Sequence, residues 1–343
     1  SARMQLAIFF FKCRFSRIDA PKYICSGAVK WETTLEGRVE CSAAVLDDFS
    51  QIVVGCYKGK LYFLDFEDGS TCWTFQTSGE VKCQPIVDKS RCLLWCGSHD
   101  HNVYALDYRS HCCVFKIDCG GSVFGSPAID EERSQIFVGS TSGRVTAISL
   151  KDSPFHTSWQ CELEVPIFGS LLTDSDLGKV FCCLVDGNVV ALSTIGVLTW
   201  KIQVGGPVFA GPCATRALPF QLLVCSRNGR VSALDMENGG LLWAHNVDHP
   251  ISACAYVDEF LRLATDASSS GRLVCVCTST GGIHLLSVTL RGTQGAAWFA
   301  VEEFRRVDLP GEIFSSPVVV AGRVYVGCRD DFLHCIHLHP GNS

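Results

Sequence analysis

Apolar and polar positions alternate along this chain in short runs broken by turn residues, and the same run returns many times. In IFVGSTSGRVTAISL (136–150), apolar Ile136 to Val138 and Val145 to Ile148 flank the polar turn Ser140 to Gly143. That is a hairpin signature, two short strands about a turn, and it lacks the i, i+3, i+4 spacing of a helix. Seven copies are legible, starting IVVGCYKGKLYFLDF at Ile52, LWCGSHDHNVYALDY at Leu94, IFVGSTSGRVTAISL at Ile136, FCCLVDGNVVALS at Phe181, LVCSRNGRVSALDM at Leu223, VCVCTSTGGIHLLS at Val274 and VYVGCRDDFLHCIHL at Val324. Their turn positions are Gly59, His101, Gly143, Gly187, Gly229, Gly281 and Asp331, spaced 42, 42, 44, 42, 52 and 50 residues apart. Such a period belongs to propeller blades rather than to helical solenoids. The two longer intervals carry insertions around 264–271 and 290–300.

Each hairpin is followed by a second turn and then an aromatic. Asp65 leads to Trp73, Asp107 to Phe115 and Asp235 to Trp243, with Trp159 and Trp200 in similar places. Next comes a short strand ending in proline: VKCQP (81–85), VFGSP (123–127), VFAGP (208–212) and IFSSP (313–317). Proline costs a ladder bond inside a sheet, so it marks an edge or bulge, as expected of an innermost strand facing a channel. Four strands per period result. No copy can bury its own faces, so stacking and closure are expected. The last copy ends after its third strand, and KWETTLEG (30–37), with Trp31, is the strand that is missing there. The expected fold is therefore all-β: a β-propeller of four-stranded antiparallel blades, seven in number, with eight as the alternative. Residues 24–343 form one propeller with repeats from about 39 to 338 and a closing strand at 30–37. YICSGAVKW (23–31) keeps the spacing of DFEDGSTCW, so residues 1–23 read as a decayed or truncated repeat or an extension.

Composition adds little to the pattern and removes some functions. An apolar fraction of 47% with 19% charged residues suits many buried strands. A net charge of -6 and a pI near 5.9 give no reason to approach nucleic acid or anionic lipid. Twenty-one cysteines are an odd number in a long chain, and Cys56, Cys225, Cys277 and Cys328 fall where other copies have Gly or Ser. They read as small buried fillers, which implies a reducing, cytoplasmic setting. The apolar run in MQLAIFFFK is too short for a secretory or membrane segment.

The composite pattern [VI]FxSP, VxGSxxGxVYALD and GxxxW resembles the pyrroloquinoline-quinone-type repeat over residues 24 to 338, and hence a quinoprotein-dehydrogenase-like propeller. More narrowly, LPGEIFSSPVVV with VGCRDDFLHC, VVGCYKGKLYFL and GSHDHNVYALD is similar to the C-terminal propeller of the β-alanine-activating enzyme family, also called aminoadipate-semialdehyde dehydrogenase homologues. That resemblance implies a parent enzyme of the acyl-CoA synthetase family, an ATP-dependent acid-thiol ligase with an adenylate-forming domain and a phosphopantetheine carrier domain. Neither domain lies within this sequence. The family's propeller has a complete repeat upstream of the KWE strand, where this chain reads MQLAIFFFKCRFSRIDAPKY.

Candidate chemistry is sparse. A quinone cofactor needs flat stacking partners and usually a cation cage, which draws attention to Cys112–Cys113 and Cys182–Cys183. Register places the first pair in a turn and outer strand and the second in the strand equivalent to FVGS, so neither is expected to line an axis. Ser170 in FGSLL superficially resembles a carrier attachment serine, yet it aligns on VFGSPAI as an inner-strand small residue. His334, His337 and His339, and His99 with His101, have metal-compatible spacing but no evident cysteine or carboxylate partner. GxxxxGK[ST], HExxH and GxSxG are absent. The expectation is thus no catalytic, cofactor or metal residue in this chain, and no cofactor.

What remains is a surface. Phe124, Phe168, Phe209 and Phe314 hold equivalent inner-strand positions and form either a plug or a recognition patch for a peptide or a pantetheine arm. Trp31, Trp73, Phe115, Trp159, Trp200 and Trp243 are expected to pack blade on blade. The function expected is a non-catalytic propeller module, scaffold or acceptor platform. Its partners are the adenylation and carrier domains of the parent enzyme or an unknown protein acceptor, with no nucleic acid and no membrane. The alternatives are a quinone-dependent dehydrogenase-like propeller and a free-standing interaction propeller.

Overall fold

A computed structural model describes residues 3–9, 29–46, 49–266, 269–292, 298–320, 322–330 and 332–338. Every regular element in it is a strand. In chain order they are β1 (Arg3–Phe9), β2 (Val29–Glu36), β3 (Ala44–Val45), β4 (Gln51–Gly55), β5 (Lys60–Asp65), β6 (Thr71–Gln76), β7 (Ile86–Asp88), β8 (Leu93–Gly97), β9 (Asn102–Asp107), β10 (Cys112–Asp118), β11 (Ala128–Asp130), β12 (Gln135–Gly139), β13 (Arg144–Ser149) and β14 (His156–Glu162). There follow β15 (Leu172–Asp174), β16 (Lys179–Cys183), β17 (Asn188–Ser193), β18 (Leu198–Gln203), β19 (Cys213–Thr215), β20 (Leu218–Cys225), β21 (Arg230–Asp235), β22 (Leu241–Asn246), β23 (Tyr256–Asp266), β24 (Ser269–Cys277), β25 (Gly282–Arg291), β26 (Trp298–Asp308), β27 (Val318–Val320), β28 (Arg323–Gly327) and β29 (Leu333–His337). The seven repeats give seven antiparallel meander sheets. Six have four strands and the last, β27-β28-β29, has three among the described residues.

Local chemistry explains each meander. The hairpin turn needs one residue at positive φ, supplied by Gly143 at 85°, Gly229 at 85° and, where glycine is missing, His101 at 72°. Asp331, the last of these turn positions, lies outside the described residues. The aspartate of each LD pair makes the second turn: Asp65 Oδ1 accepts the N–H groups of Glu67 and Asp68, and Asp107 and Asp235 do the same for the two residues at those offsets. A β-bulge then precedes the aromatic. Phe63 pairs with Trp73 while Leu64 pairs with Thr71, and the shift recurs before Phe115, Trp200 and Trp243. The insertions near 264–271 and 290–300 lengthen one sheet only, giving β23 to β26 of 11, 9, 10 and 11 residues.

The chain clusters into two compact units, residues 1–129 with 134–158, and residues 130–133 with 159–343. The first unit has its core in Val53, Phe63, Leu94 and Leu106, continued by Trp95, Ile136 and Ile148. The second has Phe181, Val224, Trp200 and Leu234, then Val274, Leu286 and Val288, then Leu273, Ile313 and Val324. Among the described residues no helix is long and apolar enough to cross a membrane.

Residues 30–37, read as the outer strand of the last repeat, fall on β2, which pairs on one edge with β1, from Arg3↔Glu36 to Phe9↔Val29. A strand edge accepts any segment in register, and side-chain pattern does not name that segment. Residues 10–23, the rest of the N-terminal extension, lie outside the described residues.

Candidate functional site

In every repeat the short segment before the first strand accepts the same backbone bond. The N–H groups of Tyr57, His99, Thr141, Val185, Arg227, Ser279 and Arg329 donate to the carbonyls of Arg38, Glu80, Ser122, Pro166, Pro207, Pro250 and Glu312 at 2.7–3.1 Å. The next residue points into the core: Val81, Val123, Ile167, Val208, Ile251 and Ile313 are all at or below 1% exposure. The residue after it is at least partly exposed, although the hydroxyl of Ser252 is itself buried. That outward slot holds Glu40, Lys82, Phe124, Phe168, Phe209, Ser252 and Phe314. Phe124, Phe168 and Phe209 are half-buried and Phe314 is 40% exposed, so the Val and Ile positions fill the interior and the phenylalanines form surface.

In the first unit, Phe124 packs against His99 with centroids 4.0 Å apart and the rings tilted by 49°, and Lys82 Nζ lies 5.3 Å from the same ring and 4.3 Å from that of Tyr57. Glu80 ties the patch together through Lys82 at 2.7 Å and His99 Nδ1 at 3.3 Å. Burial, then the nearby Lys82 charge, hold His99 below its ordinary pKa, against the pull of Glu80. In the second unit, Phe168 and Phe209 meet at 5.7 Å, Arg227 covers Phe209 at 5.6 Å, and Arg329 covers Phe314 at 4.3 Å. These are cation–π pairs at a wet surface.

The packing aromatics repeat one contact. The indole N–H of Trp31 donates to the Phe66 carbonyl at 3.1 Å, that of Trp159 to Thr194 at 2.9 Å and that of Trp200 to Met236 at 3.3 Å. Beneath each ring sits a positive-φ glycine, Gly69, Gly196 or Gly239, where a Cβ would come within 2.3–2.8 Å of the ring. Trp73 instead stacks on His111 at 5.1 Å, Phe115 meets Trp95 and Phe155, and Trp243 donates to Gln221 Oε1 at 2.8 Å.

Cys112 and Cys113 are exposed on β10, whereas Cys182 and Cys183 are buried in β16, with Cys182 pushed up to about 12 by burial. Cys56, Cys225 and Cys277 are fully buried fillers, as read from their Gly and Ser equivalents. All nineteen described cysteines are free, and the sulfurs of Cys83 and Cys96 stand 3.8 Å apart. Ser170 is half-buried beside Gly211. Expected on an inner strand, it and the equivalent segments 81–85, 123–127, 208–212 and 313–317 instead precede the first strand of their repeats, where each proline interrupts the ladder. A cleft of about 420 Å³ in the first unit is lined by Gln51, Lys89, Tyr108, Arg109 and His111. Ser50 and Cys92 complete its polar lining.

One group escaped the sequence reading. Cys328, Asp330 and His334 converge, with their sulfur, carboxylate and imidazole atoms all within 4.8 Å of one another. His334 Nε2 lies 2.7 Å from Asp330 Oδ2, while Oδ1 accepts the Phe332 N–H at 3.1 Å. Burial alone would raise the Asp330 pKa, but hydrogen bonds from His334, Cys328 and the Phe332 N–H hold it below the ordinary range. Cys328 is thus only partly a core filler. His101 stands at its turn with positive φ, His337 ends β29, and His339 lies outside the described residues. Aligning the last turn on SHDHNVY would have revealed the group, because Asp100 and Tyr104 hold the same two offsets and are bonded at 2.6 Å.

Comparison with known proteins adds a family. The family model described as "Beta-alanine-activating enzyme, beta-propeller" matches residues 15–338. The chain is 31% identical over 123 residues to the β-alanine-activating enzyme of Danio rerio, covering 35% of this chain and 9% of that protein. It is 33% identical over 66 residues to the Homo sapiens protein, 18% and 6% of the two chains, and 26% identical over 216 residues to that of Drosophila melanogaster, 50% and 21%. The chain therefore matches only a small part of each relative. Among solved structures, BamB from Moraxella catarrhalis superimposes with a TM-score of 0.67 at 15% identity, over 92% of this chain and 88% of that one. That likeness bears on the fold alone, which is an all-β propeller.

Proposed function

Because the chain belongs to the family of β-alanine-activating-enzyme β-propellers, we propose that it is the non-catalytic propeller module of an ATP-dependent β-alanine-activating, phosphopantetheine-carrier enzyme, and that it acts there as scaffold or acceptor-recognition platform in the cytoplasm. The observation that supports this reading is the outward slot. Four of its seven positions carry phenylalanine, and Phe124, Phe209 and Phe314 lie beside Lys82 and His99, Arg227 and Arg329 respectively. Half-exposed rings beside cations suit an extended partner with both apolar and anionic groups, such as an acidic peptide or a phosphate-bearing pantetheine arm. The recurrence of cysteine at buried Gly and Ser positions suits a reducing compartment.

The module would work by holding the acceptor near the charged carrier. Tethering of this kind replaces an intermolecular step by one at an effective concentration in the mM range, an advantage of about 10²–10⁴ in avidity. The test is to replace Phe168, Phe209 and Phe314 by serine in the full-length enzyme. Amino-acid adenylation and carrier charging should stay unchanged while delivery from the carrier slows at least tenfold. Unchanged delivery, or loss of adenylation on removal of the propeller from an otherwise folded enzyme, would overturn the proposal.

A further inference from the structure

The hairpin that ends the last repeat carries a donor set that, among the described residues, no other repeat assembles. Its turn closes by Cys328 N–H to the Phe332 carbonyl at 3.0 Å, one step beyond the β28–β29 ladder, where Val326 pairs with His334. Cys328 is two residues from Val326, so pleating places its side chain on the face that His334 occupies. Asp330, at the tip, is fixed by Phe332 N–H on Oδ1 and turns Oδ2 toward the imidazole. Sulfur, oxygen and nitrogen thereby meet over one spot.

The geometry is a property of the repeat, and the chemistry is a property of this copy. In the second repeat the same three offsets are Ser98, Asp100 and Tyr104, joined by Tyr104 Oη to Asp100 Oδ2 at 2.6 Å and Asp100 N to Ser98 Oγ at 3.2 Å. In the fifth they are Ser226, Asn228 and Ser232, with Ser226 Oγ on Asn228 Oδ1 at 2.5 Å. Hydroxyls and amides make such a triangle a polar clasp and nothing more. Only at 328, 330 and 334 is every corner a metal-ligating group.

We propose that Cys328, Asp330 and His334 form a binding site for a divalent transition-metal ion of the zinc class. One thiolate, one carboxylate and one imidazole are a borderline-soft set that suits zinc or cobalt and disfavours calcium and magnesium. Bonds of about 2.0–2.3 Å put tetrahedral ligand atoms roughly 3.3–3.7 Å apart, so the 4.8 Å limit on this triad is met by rotamer adjustment without moving the hairpin. The His334–Asp330 hydrogen bond would open by about 0.6–1 Å as each atom turns to the metal. The thiol proton leaves to solvent when the sulfur–metal bond forms, and the imidazole proton shifts from Nε2 to Nδ1. Access is kept by Gly311, where a Cβ would come within 2.8 Å of Cys328 Sγ. The strongest nearby cation is already engaged: Arg329 bonds Glu312 at 3.2 Å and covers Phe314. Three protein ligands leave a fourth position for water or a partner's donor group.

The test is a titration of the purified, reduced chain with Co²⁺ alone, followed by displacement with Zn²⁺. One equivalent should give the ligand-field and sulfur-to-cobalt bands of a tetrahedral site with one thiolate, and zinc should bleach them. Cys328→Ser, Asp330→Asn and His334→Gln should each weaken binding at least tenfold, while Cys335→Ser, at an exposed neighbour on β29, should leave it unchanged. Should a variant fail to fold, X-ray absorption on the zinc-loaded wild type decides the matter, since a single sulfur at about 2.3 Å with nitrogen and oxygen ligands is expected. No stoichiometric binding, a multi-sulfur shell, or bands that survive C328S and H334Q would overturn the site.

Discussion

Replacing Gly196 by alanine is the sharpest test of how the packing aromatics work. Gly196 has φ of 86°, and an added Cβ would lie 2.7 Å from Trp159 Cδ2 and 3.0 Å from Cε3. The ring cannot simply give way, because its N–H is bonded to the Thr194 carbonyl at 2.9 Å. The left-handed backbone costs alanine about 1–2 kcal/mol. Pushing the ring aside adds about 1–3 kcal/mol of overpacking and about 1 kcal/mol for the lost hydrogen bond. Against this, alanine restricts the unfolded chain by about 0.4–1 kcal/mol. The net loss is about 2–6 kcal/mol, which lowers the melting temperature by roughly 3–8 °C at the sensitivity expected for a chain of 343 residues. Gly205 is the control. It has φ of 89° but nothing within 4 Å of the would-be Cβ, so Gly205→Ala carries the backbone term alone, about 0–1.5 kcal/mol net. Thermal unfolding of both variants, with Trp159→Phe singly and in combination with Gly196→Ala, measures the contact. Equal losses at the two glycines, or strict additivity of the Trp159 and Gly196 changes, would refute the ring-on-glycine account.

Two further outcomes are expected. His284 is 1% exposed with Nδ1 at 3.2 Å from Glu303, and burial, outweighing Glu303, lowers its pKa from 6.5; the unfolded chain therefore binds more protons, and urea midpoints should be level above pH 6.5 and fall below it, with the part due to this residue removed in His284→Gln. Brief alkylation of the native chain should label exposed Cys72, Cys112 and Cys335 and spare Cys182, Cys183 and Cys225 until denaturant is added; mass-spectrometric labelling of Cys183 in native buffer would contradict its burial.

Much of the fold was readable because local rules repeat. The LD aspartates announced their turns through side-chain acceptors, and a histidine at position 101 could be recognised as a turn residue because its neighbours at that offset are glycines. The aromatic after the second turn was legible as spacing, but the bulge that aims it was not, since a bulged residue such as Cys72 has no required chemistry. The pairing of β2 with β1 was hidden for a related reason: backbone edges bond without regard to side chains. For the slot residues, sequence symmetry found Phe124, Phe168, Phe209 and Phe314 but could not say which of two adjacent apolar residues enters the core. The fold buries Val123, Ile167, Val208 and Ile313 instead. The Cys328 group stayed hidden because histidine spacing along β29 drew attention to the strand, while two of its three members, Cys328 and Asp330, come from the turn.

The backbone bonds that anchor the inner segments have an evolutionary corollary. Because the N–H of Arg227 or Arg329 grips a carbonyl two residues before the slot, the slot's own side chain takes no part in holding it. Glutamate, lysine, serine and phenylalanine all occupy it here on the same scaffold. Such a position behaves as an interchangeable socket. Drift can rewrite it one copy at a time, so duplicated blades of one lineage can acquire unlike specificities while their strands remain nearly the same.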